Sequence, residues 1–163
     1  MSLLATAAHG NLTASSHAAS SSPPVLRALP TGSPVSAGKV LLLEDDLALK
    51  GILSDFLSEA GLEVCAVADG VQGVHNVLAG DFEFILCDMN MPTLSGEMFF
   101  RAVERLRPHL CDRFVFMTGY RGNDKVNQFI ESIGGSVLTK PFNFDDLLEL
   151  VAFIRIKSLL LAD

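Results

Sequence analysis

Phe84-Ile85-Leu86-Cys87-Asp88 is an apolar run of four residues that ends on an acid. A run this short, with no polar alternation, suits a strand covered on both faces, as in a parallel sheet packed between helices. The same arrangement recurs along the chain. Val40-Leu41-Leu42-Leu43 runs into Glu44-Asp45-Asp46, and Phe114-Val115-Phe116-Met117 runs into Thr118. The shorter Val137-Leu138 leads to Thr139-Lys140-Pro141, and Val64 to Ala68 reads as one further strand.

Segments of helical period separate these runs. Leu49, Ile52, Leu53, Phe56, Leu57 and Ala60 repeat at helical spacing, and Gly61 suits the stop. Val71 to Ala79 makes a second helix closed by Gly80. Gly96 to Leu106 makes a third, with Phe99, Val103 and Leu106 expected to face inward and Pro108 to end it. A shorter helix is expected from Asp124 to Ile133, before Gly134-Gly135. The last begins near Asn143, with Asp145 and Asp146 in the first turn, where the helix dipole favours acids. Five strands alternating with five helices define an α/β fold, a doubly wound five-stranded parallel sheet.

Composition sets the remaining bounds. The 163 residues suffice for one domain, and 49% of them are apolar, enough for a core. A net charge of −7 argues against a nucleic-acid surface, which needs clustered Lys and Arg. All 19 acidic residues lie at or after Glu44, whereas residues 1–38 carry one charge, Arg27, amid Ala, Ser, Gly and Pro. That opening stretch is expected to be a disordered tail or linker, with residues 39–163 forming the domain. A transit peptide is a minor alternative. No apolar run approaches the roughly 20 residues that span a bilayer, and no secretory signal opens the chain. Cys65, Cys87 and Cys111 lack metal-binding spacing, which suits free thiols in a reducing cytoplasm. His9 and His17 read as solvated, and His75 and His109 as surface residues. Met89 and Met91 read as loop packing.

Ligand sites in open parallel sheets gather at the carboxyl ends of the strands. The polar residues falling there are Glu44, Asp45, Asp46, Asp88, Thr118 and Lys140. Packed carboxylates repel one another, and a hard divalent cation such as Mg²⁺ relieves that repulsion. A lysine opposite adds positive charge, so the set suits phosphoryl transfer with Asp88 as nucleophile and Thr118 as hydrogen-bond donor. Taken singly, Asp45 and Asp46 could equally be a helix cap, Thr118 a strand end and Lys140 a surface cation.

Leu43-Glu44-Asp45-Asp46, Cys87 to Gly96, Met117-Thr118-Gly119 and Lys140-Pro141-Phe142 together resemble the response-regulator receiver family over about residues 39–160. The resemblance implies the flavodoxin-like, or CheY-like, strand order 2-1-3-4-5. It also implies that Asp88 accepts a phosphoryl group from a phosphohistidine on a histidine kinase or histidine phosphotransfer protein. Asp45, Asp46 and Asp88 with the Asn90 carbonyl would hold Mg²⁺, Lys140 would contact the phosphoryl group, and Thr118 would move toward it. The Lys140–Pro141 peptide is expected to be cis. A downstream protein partner is expected on the face from Thr118 to Ile133 with the C-terminal helix, and neither nucleic acid nor membrane is expected as a partner.

Two positions qualify that expectation. Val137 stands three residues before Lys140, where the family commonly carries an aromatic switch. Tyr120, two after Thr118, is expected to shield an acyl phosphate from water, and Tyr120 and Arg121 to contribute to the partner face. The implied chemistry is self-catalysed and stoichiometric rather than enzymatic. With the chain ending soon after the last helix, a stand-alone regulator or the terminal receiver of a hybrid kinase is expected. Two other functions compete: a phosphate-independent binding module, and a haloacid-dehalogenase-type phosphatase. The latter is disfavoured because Asn90 stands where its second acid belongs.

Overall fold

The computed structural model describes residues 38–119 and 124–160. The stretch read as a tail lies outside the described residues except for Gly38, as do Tyr120 and Arg121. Five strands form one parallel sheet: β1 (Lys39–Leu43), β2 (Glu63–Val67), β3 (Phe84–Asp88), β4 (Phe114–Thr118) and β5 (Ser136–Thr139). Their order is β2-β1-β3-β4-β5. The connecting helices are α1 (Leu47–Glu59), α2 (Gly70–Ala79), α3 (Gly96–Leu106), α4 (Asp124–Ser132) and α5 (Phe144–Leu160). This is the expected fold and strand order.

Strand alternation explains how the apolar runs feed two cores. Leu41, Leu43, Ile85, Cys87, Phe114 and Phe116 share one core with Phe99, Val103 and Phe129 from α3 and α4. Their neighbours Val40, Leu42, Phe84, Leu86, Val115 and Met117 enter the other, against Leu53 and Leu57 of α1 and Leu147, Val151 and Ile154 of α5. Successive side chains point to opposite faces, so a wholly apolar strand serves both layers. Each fully buried Leu, Ile or Phe contributes about 1.5–3 kcal/mol relative to exposure. In the first core, Phe114 and Phe116 stack at 5.3 Å between centroids, and the Phe129 ring meets Phe116 edge-on at 5.9 Å.

Local chemistry sets the helix ends. The carboxylates of Asp46 and Asp69 each accept two amide hydrogen bonds from the first turns of α1 and α2. Asn143 Oδ1 accepts from Asp146 N at 2.8 Å, capping α5. Gly61 and Gly134, at φ of 84° and 60°, take the left-handed conformation in which chains leave helices.

Several details differ from the sequence reading. β2 spans Glu63–Val67 where Val64 to Ala68 was expected, and α2 opens at Gly70 rather than Val71. Leu106 is 47% exposed, because α3 ends there and a 3₁₀ turn, Pro108–Arg113, follows; Leu110 from that turn is the next residue in the core. Pro108 therefore opens a second helical turn as well as closing the first. In addition, α4 stops at Ser132, one residue earlier than expected.

Candidate functional site

Sheet topology brings four strand ends to one rim. Asp88 is the last residue of β3 and Thr118 the last of β4, while Glu44 follows β1 directly and Lys140 follows β5. Backbone pairing continues past the strands. Glu44 N donates to Val67 O at 3.2 Å, Met89 N to Met117 O at 2.9 Å, and Lys140 N to Thr118 O at 2.7 Å. These bonds hold the rim residues to the sheet itself. The Lys140–Pro141 peptide is cis, as expected.

At the centre, Lys140 Nζ donates to Asp88 Oδ2 at 2.5 Å and to Glu44 Oε2 at 2.8 Å. The other Asp88 oxygen, Oδ1, accepts from Asn90 N at 2.8 Å, and Glu44 Oε1 accepts from Asp46 N at 3.1 Å. Every carboxylate oxygen of these two buried acids thus has a donor. No buried side-chain polar atom among the described residues lacks a partner.

The acidic run is divided by geometry in a way the sequence reading did not anticipate. Oxygens of Glu44, Asp45 and Asp88 lie within 4.8 Å of one another. Asp46 is not in that group. Its Oδ1 turns to the first turn of α1 and accepts from Ala48 N at 2.8 Å and Leu49 N at 2.9 Å. The structure therefore assigns to Asp46 the capping role, and brings Glu44 to the centre where Asp45 and Asp46 were expected as the pair. A signal was present in the sequence: the acid directly before a helix is the natural cap, and Glu44 keeps the strand parity of Val40 and Leu42.

The electrostatics follow from two buried carboxylates sharing one ammonium, with the exposed Asp45 carboxylate beside them. Burial raises the pKa of Glu44, and the nearby Asp88 charge adds to this against the hydrogen bonds from Lys140 and the Asp46 amide. Burial also works against the charge on Lys140, but its hydrogen bonds to Asp88 and Glu44 outweigh that and hold its pKa above the ordinary lysine value. Cys87 faces the core beside Asp88. Burial above all, then the Asp88 and Glu44 charges, pushes its thiol pKa well up.

Of the other residues named from the sequence, Thr118 is buried and Asn90 exposed. Met89 and Met91 are packed in the core, and His75 is exposed. His109 is at the surface but not solitary. Its Nε2 lies 2.8 Å from Asp81 Oδ1, which also accepts from Arg107 at 2.5 Å. The three cysteines form no disulfide. No described helix is long and apolar enough to cross a membrane.

An open parallel sheet carrying buried acids and a lysine at its carboxyl rim defines an α/β protein with a built anionic site at the strand ends. Residues 40–152 match the response regulator receiver domain family, and the chain belongs to it. Receiver domains are signalling domains of two-component systems, where response regulators act with histidine kinases. The chain is 38% identical over 117 residues to the response regulator protein FleR of Pseudomonas aeruginosa, covering 71% of this chain and 24% of that protein. It is 28% identical over 111 residues to a probable chemotaxis protein CheY of Rhizobium etli, covering 67% and 85% respectively. The chain spans only about a quarter of FleR and about half of the transcriptional regulator TcrA of Mycobacterium tuberculosis.

Solved structures agree. Vibrio cholerae chemotaxis protein CheY4 superposes with a TM-score of 0.65 at 28% identity, over 73% of this chain and 99% of that one. The receiver domain of the sensor histidine kinase PA1611 from Pseudomonas aeruginosa, solved with magnesium coordinated in its active-site cleft, shares the fold. Its TM-score is 0.62 at 24% identity, over 71% of this chain and 95% of that one.

Proposed function

We propose that this receiver takes a phosphoryl group from a phosphohistidine onto Asp88 and thereby changes its affinity for a protein partner. The observation that carries this reading is the ammonium of Lys140 shared between Asp88 and Glu44 beside a third carboxylate, Asp45. An Asp88 oxygen attacks phosphorus, the P–N bond breaks, and the imidazole of the donor leaves with its electron pair. Lys140 orients the Asp88 carboxylate before transfer and supplies positive charge to the phosphoryl oxygens after it. The Asn90 amide steadies the other Asp88 oxygen, and Thr118 lies at the neighbouring strand end to meet the product. The reaction is stoichiometric, with no turnover substrate.

The residues present fit a magnesium ion. Hard oxygen donors converge, and repulsion among three acids is what a divalent cation relieves. Asp45 and Asp88 would hold it with the Asn90 carbonyl, Glu44 lying alongside and Asp46 remaining the helix cap. When bound, the ion neutralises charge on the incoming phosphoryl group.

On the output side, Val137 occupies an exposed position of β5 without an aromatic ring. A groove of about 520 Å³ that it helps to line is also lined by Leu138, Phe142, Leu150 and Phe153 and by the acids Asp146 and Glu149. We place the partner surface there and on α4. A cytoplasmic setting suits both the kinase chemistry and the free thiols. Family membership leaves the phosphatase reading without support.

The test is incubation with Mg²⁺ and acetyl phosphate, read by intact mass beside Asp88→Asn. A phosphoryl adduct on the parent and none on the variant is expected. No adduct, although beryllium fluoride occupies the site, would overturn the reading in favour of a phosphate-independent binding module.

A further inference from the structure

Thr93 is the only non-glycine residue with positive φ among the described residues, at 68°. A β-branched side chain is ill suited to that conformation, because Cβ crowds the backbone. The hydrogen bond around it is equally unusual. Leu94 N donates to Pro92 O at 2.7 Å, closing a three-residue turn centred on Thr93. With positive φ at its centre this is the rare, strained form of the γ-turn. Strain of this kind persists only where surrounding contacts over-determine the backbone.

Those contacts are present on both sides. Before the turn, Met89 and Met91 are buried in the core, and Pro92 fixes its own φ. After it, Leu94 lies over the start of α2. A Cβ on Gly70 would come within 2.8 Å of Leu94 Cδ2, so only glycine there lets the leucine seat so closely. Two residues further on, Gly96 N donates to Met89 O at 3.2 Å, and a Cβ on Gly96 would lie 2.7 Å from the Asp88 carbonyl oxygen. The loop is thus pinned at Met91, Leu94 and Gly96, and the chain must reverse sharply at residue 93 to satisfy all three. The same loop carries the Asn90 amide that holds Asp88 Oδ1 at 2.8 Å.

We propose that Thr93 is a positioning residue: its left-handed backbone, imposed by the seating of Leu94 on Gly70, fixes the Asn90 peptide against the Asp88 carboxylate. The side chain of Thr93 is exposed and takes no part itself. What matters is the backbone conformation, held against its own preference. The role of this positioning in phosphoryl acceptance rests on the function proposed above, whereas the loop relationship does not.

The test is a cycle of full-length variants, Thr93→Gly, Leu94→Ala and the two combined. Nuclear magnetic resonance reads the amide–Hα coupling at residue 93, which reports φ, and hydrogen exchange at the Asn90 amide. In the same samples, intact mass gives the rate of adduct formation from acetyl phosphate with Mg²⁺. Removing the Leu94 anchor should let Thr93 relax to negative φ and cut Asn90 protection about tenfold, as a released local constraint does. Glycine adopts positive φ freely, so Thr93→Gly in the Leu94→Ala background should restore protection to within about twofold. Thr93→Gly alone should keep protection and raise the thermal midpoint. Adduct formation should follow the Asn90 amide through the cycle. Unchanged protection in Leu94→Ala, or no recovery in the double variant, would overturn the proposal. A parent that forms no adduct defeats the functional reading, while the amide measurements still decide the loop.

Discussion

Lys140 holds Asp88 across the rim at 2.5 Å, tying the ends of β3 and β5, which are 52 residues apart in the chain. The same ammonium reaches the fully buried Glu44 at 2.8 Å. One cation therefore satisfies acids from two neighbouring strands, and removing it leaves both to face each other.

Lys140→Met should destabilise the fold by about 1–3 kcal/mol near pH 8, the cost of stranding buried polar partners. The pH dependence has a definite sign. A lysine whose pKa is raised in the folded state contributes stability that is complete below the ordinary value of 10.5 and is lost as pH rises through the folded value. Urea titrations of parent and variant should thus converge above pH 10.5. A gap that stays constant there would remove the linkage.

Asp45 and Asp46, adjacent and chemically identical, should respond in opposite ways. Asp45→Asn should weaken Mg²⁺ binding by about 10- to 100-fold, the scale seen even for outer-shell ligand changes. Asp46→Asn should leave it nearly unchanged, because asparagine caps helices as well as aspartate does. Asp46→Ala should cost about 1 kcal/mol of stability through loss of the α1 cap. Calorimetric Mg²⁺ titration beside urea unfolding checks both; equal Mg²⁺ loss in the two asparagine variants would return Asp46 to the metal set.

Gly96→Ala tests how closely α3 abuts the site. The new methyl would meet backbone, the Asp88 carbonyl oxygen at 2.7 Å and Met89 Cα at 2.9 Å, neither of which can rotate away. A loss of about 1–3 kcal/mol is expected, as for other overpacked sites. Thermal unfolding measures it, and a midpoint equal to the parent's would show that the loop yields instead.

The cysteines should separate by reactivity. Cys87 is fully buried with its thiol pKa pushed well up; partial burial raises that of Cys111 as well, but Cys111 and Cys65 are both part-exposed and open to reagent. Because the thiolate is the reactive form, a chromogenic disulfide reagent at pH 8 should titrate Cys65 and Cys111 in the folded protein and Cys87 only after unfolding. Rapid labelling of Cys87, identified by peptide mass, would contradict its placement in the core.

Much of this protein was legible in the sequence because the signals were local. Wholly apolar runs such as Phe84 to Cys87 require cover on both faces, and helical spacing between them supplies the cover. Acids and a lysine placed at the run ends then fall on one rim of a parallel sheet. Even the start of α5 at Phe144 follows from a short-range cap, Asn143.

What the tertiary structure alone decided is how neighbouring residues of similar chemistry divide their tasks. Glu44, Asp45 and Asp46 look alike in the chain, yet the end of β1 turns Glu44 inward while the start of α1 claims Asp46. Lys140 then arrives from 96 residues away to favour Glu44 and Asp88 as its partners. Leu106 follows the helical period of Phe99 and Val103, but its place in the core depended on where α3 stopped. The left-handed backbone of Thr93 also has no local cause, since nothing in threonine favours it. Met91, buried in the core, and Leu94, part-buried and seated on Gly70, anchor the chain on either side of it, and packing outweighs the preference of the residue between them.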